Sequence, residues 1–344
     1  MLRGSDCDAL PITLIKHMRP LRSILIPLAG LVLPVCSLSF AAAPSPAESV
    51  PQKETVKAPD SSAADLAAAQ EKVAQWEKKA REQNDPDAWN KLGVAYLNGG
   101  GVSIDETKAA ECFHKAADLG YWKGQYNFGL VCLRGQGVPK DPAEALKWLR
   151  LAAEQNVPEA QLHLAALLDQ GKELPRNFPE AFSWYKKAAT GGCVPAAAEL
   201  GRIYINGEEE GAPQDYAEAA KWFRQAAEAG DPKAQNALGV LFQYGRGVKQ
   251  DVHEAADWYE KAANQGDAKA QANMGRIYWF ADGLYQDKIT AYKWFALSAE
   301  QGEVVGKNIL TQFKPGLSAD EISEGDYQIK LFKEQQKKAK ESKK

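Results

Sequence analysis

The chain has 344 residues, 45% of them apolar, with 42 basic and 45 acidic side chains and a formal net charge of −3. So even a balance leaves no basic footprint for nucleic acid, and no nucleic-acid partner is expected. No GxxxxGK[ST], GxSxG, HExxH or paired CxxC motif occurs, which removes the common anchors of nucleotide, acyl-transfer and metal chemistry.

In chain order, the first element is a targeting segment. Arg19 and Arg22 precede an apolar stretch from Ile24 to Leu38, and Ser39-Phe40-Ala41-Ala42-Ala43-Pro44 follows. This reads as a secretory signal peptide over residues 1–43, with cleavage after Ala41 or Ala42 favoured because Pro44 follows Ala43. Residues 1–17 are unlike an n-region, so Met18 is a candidate start. An uncleaved anchor and a lipoprotein are the competing readings. Pro27 and Pro34 oppose the first, and Leu33-Pro34-Val35-Cys36 lacks the small residue that precedes a lipidated cysteine. Export implies a periplasmic or secreted protein with no membrane insertion after cleavage. Residues 44–62, rich in Pro, Ser and charge, read as a disordered linker.

From residue 85 to 302 one pattern returns six times. Leu92-Gly93, Phe128-Gly129, Leu164-Ala165, Leu200-Gly201, Leu238-Gly239 and Met274-Gly275 are spaced by 36 residues, once by 38. Ala116-Ala117, Ala152-Ala153, Ala188-Ala189, Ala226-Ala227, Ala262-Ala263 and Ser298-Ala299 keep the same period. A fixed period of this size marks stacked supersecondary units. The expected fold is all-α, an α/α solenoid (a right-handed superhelix) of six helix-turn-helix repeats over 85–120, 121–156, 157–192, 193–230, 231–266 and 267–302.

Within a unit, Asp85-Pro86 is an N-cap followed by a tolerated proline, and Trp89, Leu92 and Tyr96 share one helical face. Gly93 and its counterparts cost a helix interior roughly 1 kcal/mol each, so their recurrence implies close helix packing. Gly-x-Gly-Val turns (Gly99 to Val102, Gly135 to Val138, Gly245 to Val248) end the first helix, the second glycine opening the loop and the valine plugging the gap between helices. Asp141…Glu144, Asn177…Glu180, Asp215…Glu218 and Asp251…Glu254 read as capping boxes that start the second helix, which explains these carboxylates without catalysis. Trp148, Trp184, Trp222, Trp258 and Trp294 share the stripe of the alanine pairs, so a buried ladder is favoured over a sugar-binding row. Residues 63–84 form an N-terminal capping helix, with Trp76, Ala80 and Asn84 one period before Cys112, Ala116 and Gly120. A C-terminal capping region over 303–336 starts its last helix at the Ser318/Glu321 capping box, and 337–344 is a basic tail.

Trp89-x-x-Leu92-Gly93-x-x-Tyr96 matches the tetratricopeptide helix signature. The 36-residue period, the Gly-x-Gly-Val turn and the Ala…Trp-Tyr…Ala-Ala second helix make the chain resemble the Sel-one-like repeat family. Repeat 3 departs with Ala165 and Gly171-Lys172-Glu173-Leu174, and repeat 4 with the insertion Glu208-Glu209-Glu210. The resemblance implies a non-enzymatic adaptor that binds a protein or peptide, with no cofactor and no catalytic residues. The alternatives are a cell-wall glycan or peptidoglycan module and, as some cysteine-rich relatives suggest, a β-lactam-interacting hydrolase. Ser183-Trp184-Tyr185-Lys186 fits S-x-x-K, but its aromatics are repeat landmarks and no S-D-N or K-T-G accompanies it. The Cys pairs of that subgroup fall on Ala88 and Ala117, or Gly124 and Ala153, here. Cys112 and Cys132 read as buried free thiols, a disulfide between them being the other option; Cys193 has no partner, and the histidines have no ligand spacing.

In a tetratricopeptide-like superhelix the first helices line the concave side. That register places Asn90, Asn98, Lys123, Tyr126, Arg134, Arg202, Asn206, Lys233, Asn236, Gln243, Tyr244, Arg276 and Trp279 toward a groove as the candidate partner-binding set. The plainer reading of the same residues is the solvated face of ordinary helices.

Overall fold

The computed structural model describes residues 63–172, 175–207, 211–280 and 286–341. The expected leader (1–43) and linker (44–62), the insertion Glu208-Glu209-Glu210 and residues 342–344 of the basic tail lie outside the described residues. The described residues form fifteen α-helices and no strand. None of these helices is long and apolar enough to cross a membrane.

A leading helix, α1 (Ala63–Gln83), packs on the first of six helix pairs. The first helices of the pairs are α2 (Pro86–Asn98), α4 (Trp122–Arg134), α6 (Pro158–Gln170), α8 (Val194–Asn206), α10 (Pro232–Tyr244) and α12 (Ala268–Phe280). The second helices are α3 (Glu106–Asp118), α5 (Pro142–Glu154), α7 (Phe178–Thr190), α9 (Tyr216–Glu228), α11 (Val252–Asn264) and α13 (Lys288–Glu300). Then come α14 (Val304–Phe313), a 3₁₀ turn (Lys314–Gly316) and α15 (Ala319–Glu341), which packs on α13. The last helix runs past the expected end near Gln336, because Lys337 to Glu341 are good helix formers with no glycine or proline to stop them.

Each pair is joined by one socket. A Cβ at Gly201 would lie 2.6 Å from the Phe223 ring, one at Gly239 2.7 Å from Tyr259, and one at Gly275 2.6 Å from Phe295. Gly93 and Gly129 receive Phe113 and Leu149 in the same way, and these second-helix side chains are at most 2% exposed. The missing side chain therefore lets the two helices close on a large apolar group that fills the space fully. Repeat 3 seats Ala165 and Tyr185 at the equivalent positions, both buried.

This closeness changes the capping chemistry expected from sequence. The N-cap side chains form as anticipated: Asp141 Oδ1 accepts from the N–H groups of Ala143 and Glu144 at 3.0 Å each. The reciprocal half of the box does not form in the repeats. The N-cap N–H of Asp141 already donates to Cys132 O at 2.9 Å, and Asp105, Asn177, Asp215, Asp251 and Asp287 donate likewise to the preceding first helix. The glutamate three residues on is thereby released to the tryptophan. Trp148 Nε1 donates to Glu144 at 2.7 Å, Trp258 to Glu254 at 2.9 Å and Trp184 to Glu180 at 3.4 Å. Four of the five ladder tryptophans are 9% exposed or less. Trp222 is the exception: Glu218 pairs with Lys221 instead, and the Trp222 indole N–H has no hydrogen-bond partner. A complete capping box forms only at Ser318/Glu321, where Ser318 N–H donates to Glu321 at 2.7 Å and Glu321 N–H to Ser318 Oγ at 3.2 Å.

Successive repeats are tied at the ends of the second helices, whose last carbonyls have no partner within the helix. Gln161 Nε2 donates to Ala153 O at 3.1 Å, Gln235 to Ala227 O at 3.0 Å and Gln271 to Ala263 O at 3.2 Å. Gln265 and Gln301 then donate to the side chains of Gln235 and Gln271 at 2.8 Å. Repeat 4 has Ala197 at that position, and Gln225 on its second helix reaches Ala189 O at 2.7 Å in its place. The turns between repeats take a left-handed residue, a glycine in most, with Asn84 (φ 51°) and Asn156 (φ 61°) in the same role. The second glycine of the Gly-x-Gly-Val turn does more than open a loop: a Cβ on Gly137 or Gly247 would collide with the backbone of Glu106 or Tyr216 in the preceding repeat. Val102 and Val138 pack, half-buried, on the apolar clusters below them.

The socket yields a direct test. Gly201→Ala is expected to lower stability by on the order of 1–2 kcal/mol, overpacking against Phe223 outweighing the gain of roughly 1 kcal/mol in helix propensity. Adding Phe223→Leu should recover part of that loss, giving a coupling term in denaturant melts. An unchanged or raised melting point for Gly201→Ala alone would refute the socket.

Candidate partner-binding surface

The first helices of neighbouring repeats meet directly at α2 with α4 and α8 with α10, on the side expected from sequence to be the inner one. Along this side one residue per repeat sits in the last helical turn: Asn98, Arg134, Gln170, Asn206, Tyr244 and Phe280. All are exposed except Arg134, which is half-buried. They recur at the repeat period, 36 residues apart and once 38. Gln170 and Phe280 were not among the residues expected from sequence, although carrying the register through every repeat identifies them.

Deeper on the same side, the seams between first helices are closed by side chains. Asn127 Nδ2 donates to Asn90 Oδ1 at 2.8 Å, and Asn273 to Asn236 Oδ1 at 2.9 Å. At the seam between repeats 2 and 3 the rings of Tyr126 and His163 meet with centroids 5.1 Å apart. Burial, with a contribution from the Arg134 charge, pushes the His163 imidazole down to about 4, so it is neutral at physiological pH. In the middle of the array Arg202 Nε donates to Glu199 at 2.8 Å and Arg176 Nη2 to Asp169 at 2.9 Å.

The expected set thus divides. Asn98, Lys123, Asn206, Lys233 and Tyr244 are exposed on the inner side, and Tyr126, Arg134, Arg202 and Arg276 are half-buried there. Asn90, Asn236 and Gln243 are instead buried, 6%, 6% and 7% exposed. The asparagines lie at the seams and spend their amides between helices, and Gln243 Oε1 accepts from Tyr259 OH at 2.8 Å. Trp279 is half-buried because Phe313 of α14 packs edge-on against it, centroids 4.2 Å apart.

Ser183 is exposed on α7, its neighbours Trp184 and Tyr185 are buried, and the Lys186 ammonium lies 4.2 Å from the centre of the Phe182 ring. Cys112 and Cys132 are buried free thiols, each pushed up to about 11 by burial, and Cys193 is a half-buried free thiol. Among the described residues no group of three or more His, Cys, Asp or Glu side chains is placed to hold a metal ion.

A family model for the Sel1 repeat matches residues 86–121, 122–157, 158–193, 194–231, 232–267 and 268–303, each one residue displaced from the units expected from sequence. The chain is similar to a protective antigen of uropathogenic Escherichia coli with an SLR fold, at 32% identity over 78% of this chain and a TM-score of 0.65. It spans 56% of that protein's length. It is also similar to a Sel1 repeat protein from Oxalobacter formigenes, at 33% identity over 69% of this chain and 97% of that one, with a TM-score of 0.56. No curated protein sequence matches. The chain belongs to the Sel1 repeat family, whose members are in general non-catalytic repeat scaffolds for protein interaction.

The half-buried imidazole carries a pH signature. His163 is held neutral in the fold, whereas the unfolded chain takes up the proton near the ordinary value of 6.5. The stability it contributes is therefore complete above about 6.5 and lost as pH falls toward about 4, at no more than about 1.4 kcal/mol per pH unit. Urea unfolding of wild type and His163→Gln at pH 7 and pH 4.5 should show their difference shifting in favour of the variant at the lower pH. A difference that does not move with pH would contradict an imidazole held neutral in the fold.

Proposed function

We propose that the protein is a non-enzymatic scaffold of the cell envelope that holds a protein or peptide partner along the inner side of its first helices. The observation that carries this reading is the recurrence of Asn98, Arg134, Gln170, Asn206, Tyr244 and Phe280 in the last turn of each first helix, exposed in all but Arg134, which is half-buried. Long polar, guanidinium and aromatic groups on a rigid frame supply binding contacts at a small cost in ordering. Envelope placement rests on the charged and apolar leader between Arg19 and Ala43.

Two measurements test the two halves. N-terminal sequencing of the protein from an envelope fraction should begin at Ala42 or Ala43; a chain that retains residues 19–41 would refute cleaved export. Tyr244→Ala combined with Arg276→Ala should weaken binding of the partner recovered by cross-linking on the order of a hundredfold or more, with an unchanged melting point. Ser183→Ala, on a second helix, should bind as wild type. If the double variant holds its partner undiminished, binding occurs elsewhere.

A further inference from the structure

Repeats 1–2 and repeats 5–6 share a local frame but differ in charge. Both have an asparagine pair bridging their first helices, Asn90 with Asn127 and Asn236 with Asn273. Around the first pair the charges are settled internally. Asp87 forms an ion pair with Lys91 at 2.6 Å and accepts from Tyr121 OH at 2.8 Å, and Lys123 adds to the field that lowers the Asp87 carboxyl.

Around the second pair, four of these positions carry different residues. Lys233 stands for Asp87, Ala237 for Lys91, Asp267 for Tyr121 and Arg276 for Leu130, while Lys269 keeps the lysine of Lys123. The carboxylates nearby are held by backbone: Asp231 Oδ1 accepts from Ala234 N–H at 2.6 Å and Asp267 Oδ1 from Ala270 N–H at 2.8 Å. Asp267 is buried enough that its carboxyl is raised despite the fields of Lys269 and Lys233. Neither Lys233 nor Arg276 makes an ion pair among the described residues. At the far end of the same helices Asn98 and Arg134 are replaced by Tyr244 and Phe280, which are 49% and 63% exposed. The Arg246 guanidinium lies 5.6 Å from the Tyr244 ring centre.

We propose that the surface of α10 and α12 takes an extended acidic peptide. Its carboxylates sit against Lys233 and Arg276, and an apolar residue lies against Tyr244 and Phe280. The proposal rests on the scaffold reading and adds the chemistry of the partner. Charge complementarity selects the occupant, because this end offers cations and aromatics with its own carboxylates committed to helix N-termini. Geometry sets the spacing. Lys233 and Tyr244 are eleven residues apart on one helix, about 16 Å at 1.5 Å per residue, which an extended peptide covers in roughly five residues.

The test uses a fluorescein-labelled peptide with two glutamates separated by four Gly/Ser residues from a phenylalanine, read by anisotropy against the mature chain. Binding should fall at least tenfold when the glutamates become glutamines, when Lys233→Gln is combined with Arg276→Gln, and when salt rises from about 50 to 300 mM. Lys147→Gln with Lys221→Gln, exposed cations on the second helices α5 and α9, should bind as wild type. If the Glu and Gln peptides bind alike or not at all, or a single-stranded oligonucleotide of equal charge binds as tightly, the acidic-peptide inference is overturned. Should a photo-cross-linker at Tyr244 still capture a partner in that event, the scaffold reading survives; if it captures none, both fall.

Discussion

The close approach of two helices at one small residue, glycine in five repeats and Ala165 in the third, governs the structure of every repeat. Where Gly201 faces Phe223 and Gly239 faces Tyr259, the second helix lies directly on the first. Only at that distance does the N-cap N–H of the second helix reach a carbonyl of the first, as Asp251 N–H does with Phe242 O at 3.0 Å. That bond makes the reciprocal arm of a capping box redundant. The freed carboxylate of Glu254 accepts from the Trp258 indole, whose burial would otherwise strand a donor. Packing, capping and the tryptophan ladder are thus consequences of one contact.

A solenoid grows only if each unit is satisfied by the next. The glutamine at the fourth position of the first helix meets that need by covering a carbonyl at the end of the previous second helix. Repeat 4 shows how far the demand fixes the solution. With Ala197 in place of glutamine, the carbonyl of Ala189 is still covered, now by Gln225 from the other helix. The requirement is for the donor, and the backbone tolerates two ways of supplying it. Repeat 6 offers a parallel case: Ser298 stands in an alanine slot and its buried hydroxyl is paired, donating to Ala268 O at 2.7 Å.

Such regularity makes differences between repeats informative. Residues one period apart occupy near-equivalent environments, so a change from Asp87 to Lys233 or from Asn98 to Tyr244 is a change of surface chemistry on a constant frame. The two ends of the inner side have diverged in this way while their Asn–Asn seams stayed alike. Between them, ion pairs such as Arg202 with Glu199 and Arg176 with Asp169 tie up the charges.

The sequence by itself determined the repeat count, the helix starts and stops and the buried stripes, because these depend on short-range rules: a 3.6-residue period, an Asp or Asn cap, a glycine after the last turn. Leu92, Trp148 and Ala152 were legible as core because each recurs on an apolar stripe. Tertiary structure decided the rest. Asn90 and Asn236 look like exposed polar residues in a helix, yet the neighbouring first helix buries both. Gln243 turns to Tyr259 sixteen residues away, and Trp279 is covered by a helix beyond the repeats. Glu144 and Glu254 obey the capping-box spacing but bind indoles, since the N–H they would have capped is taken by another helix. Each of these depends on what lies across a seam, and the seam is set by how closely two helices can approach, a distance that no single helix encodes.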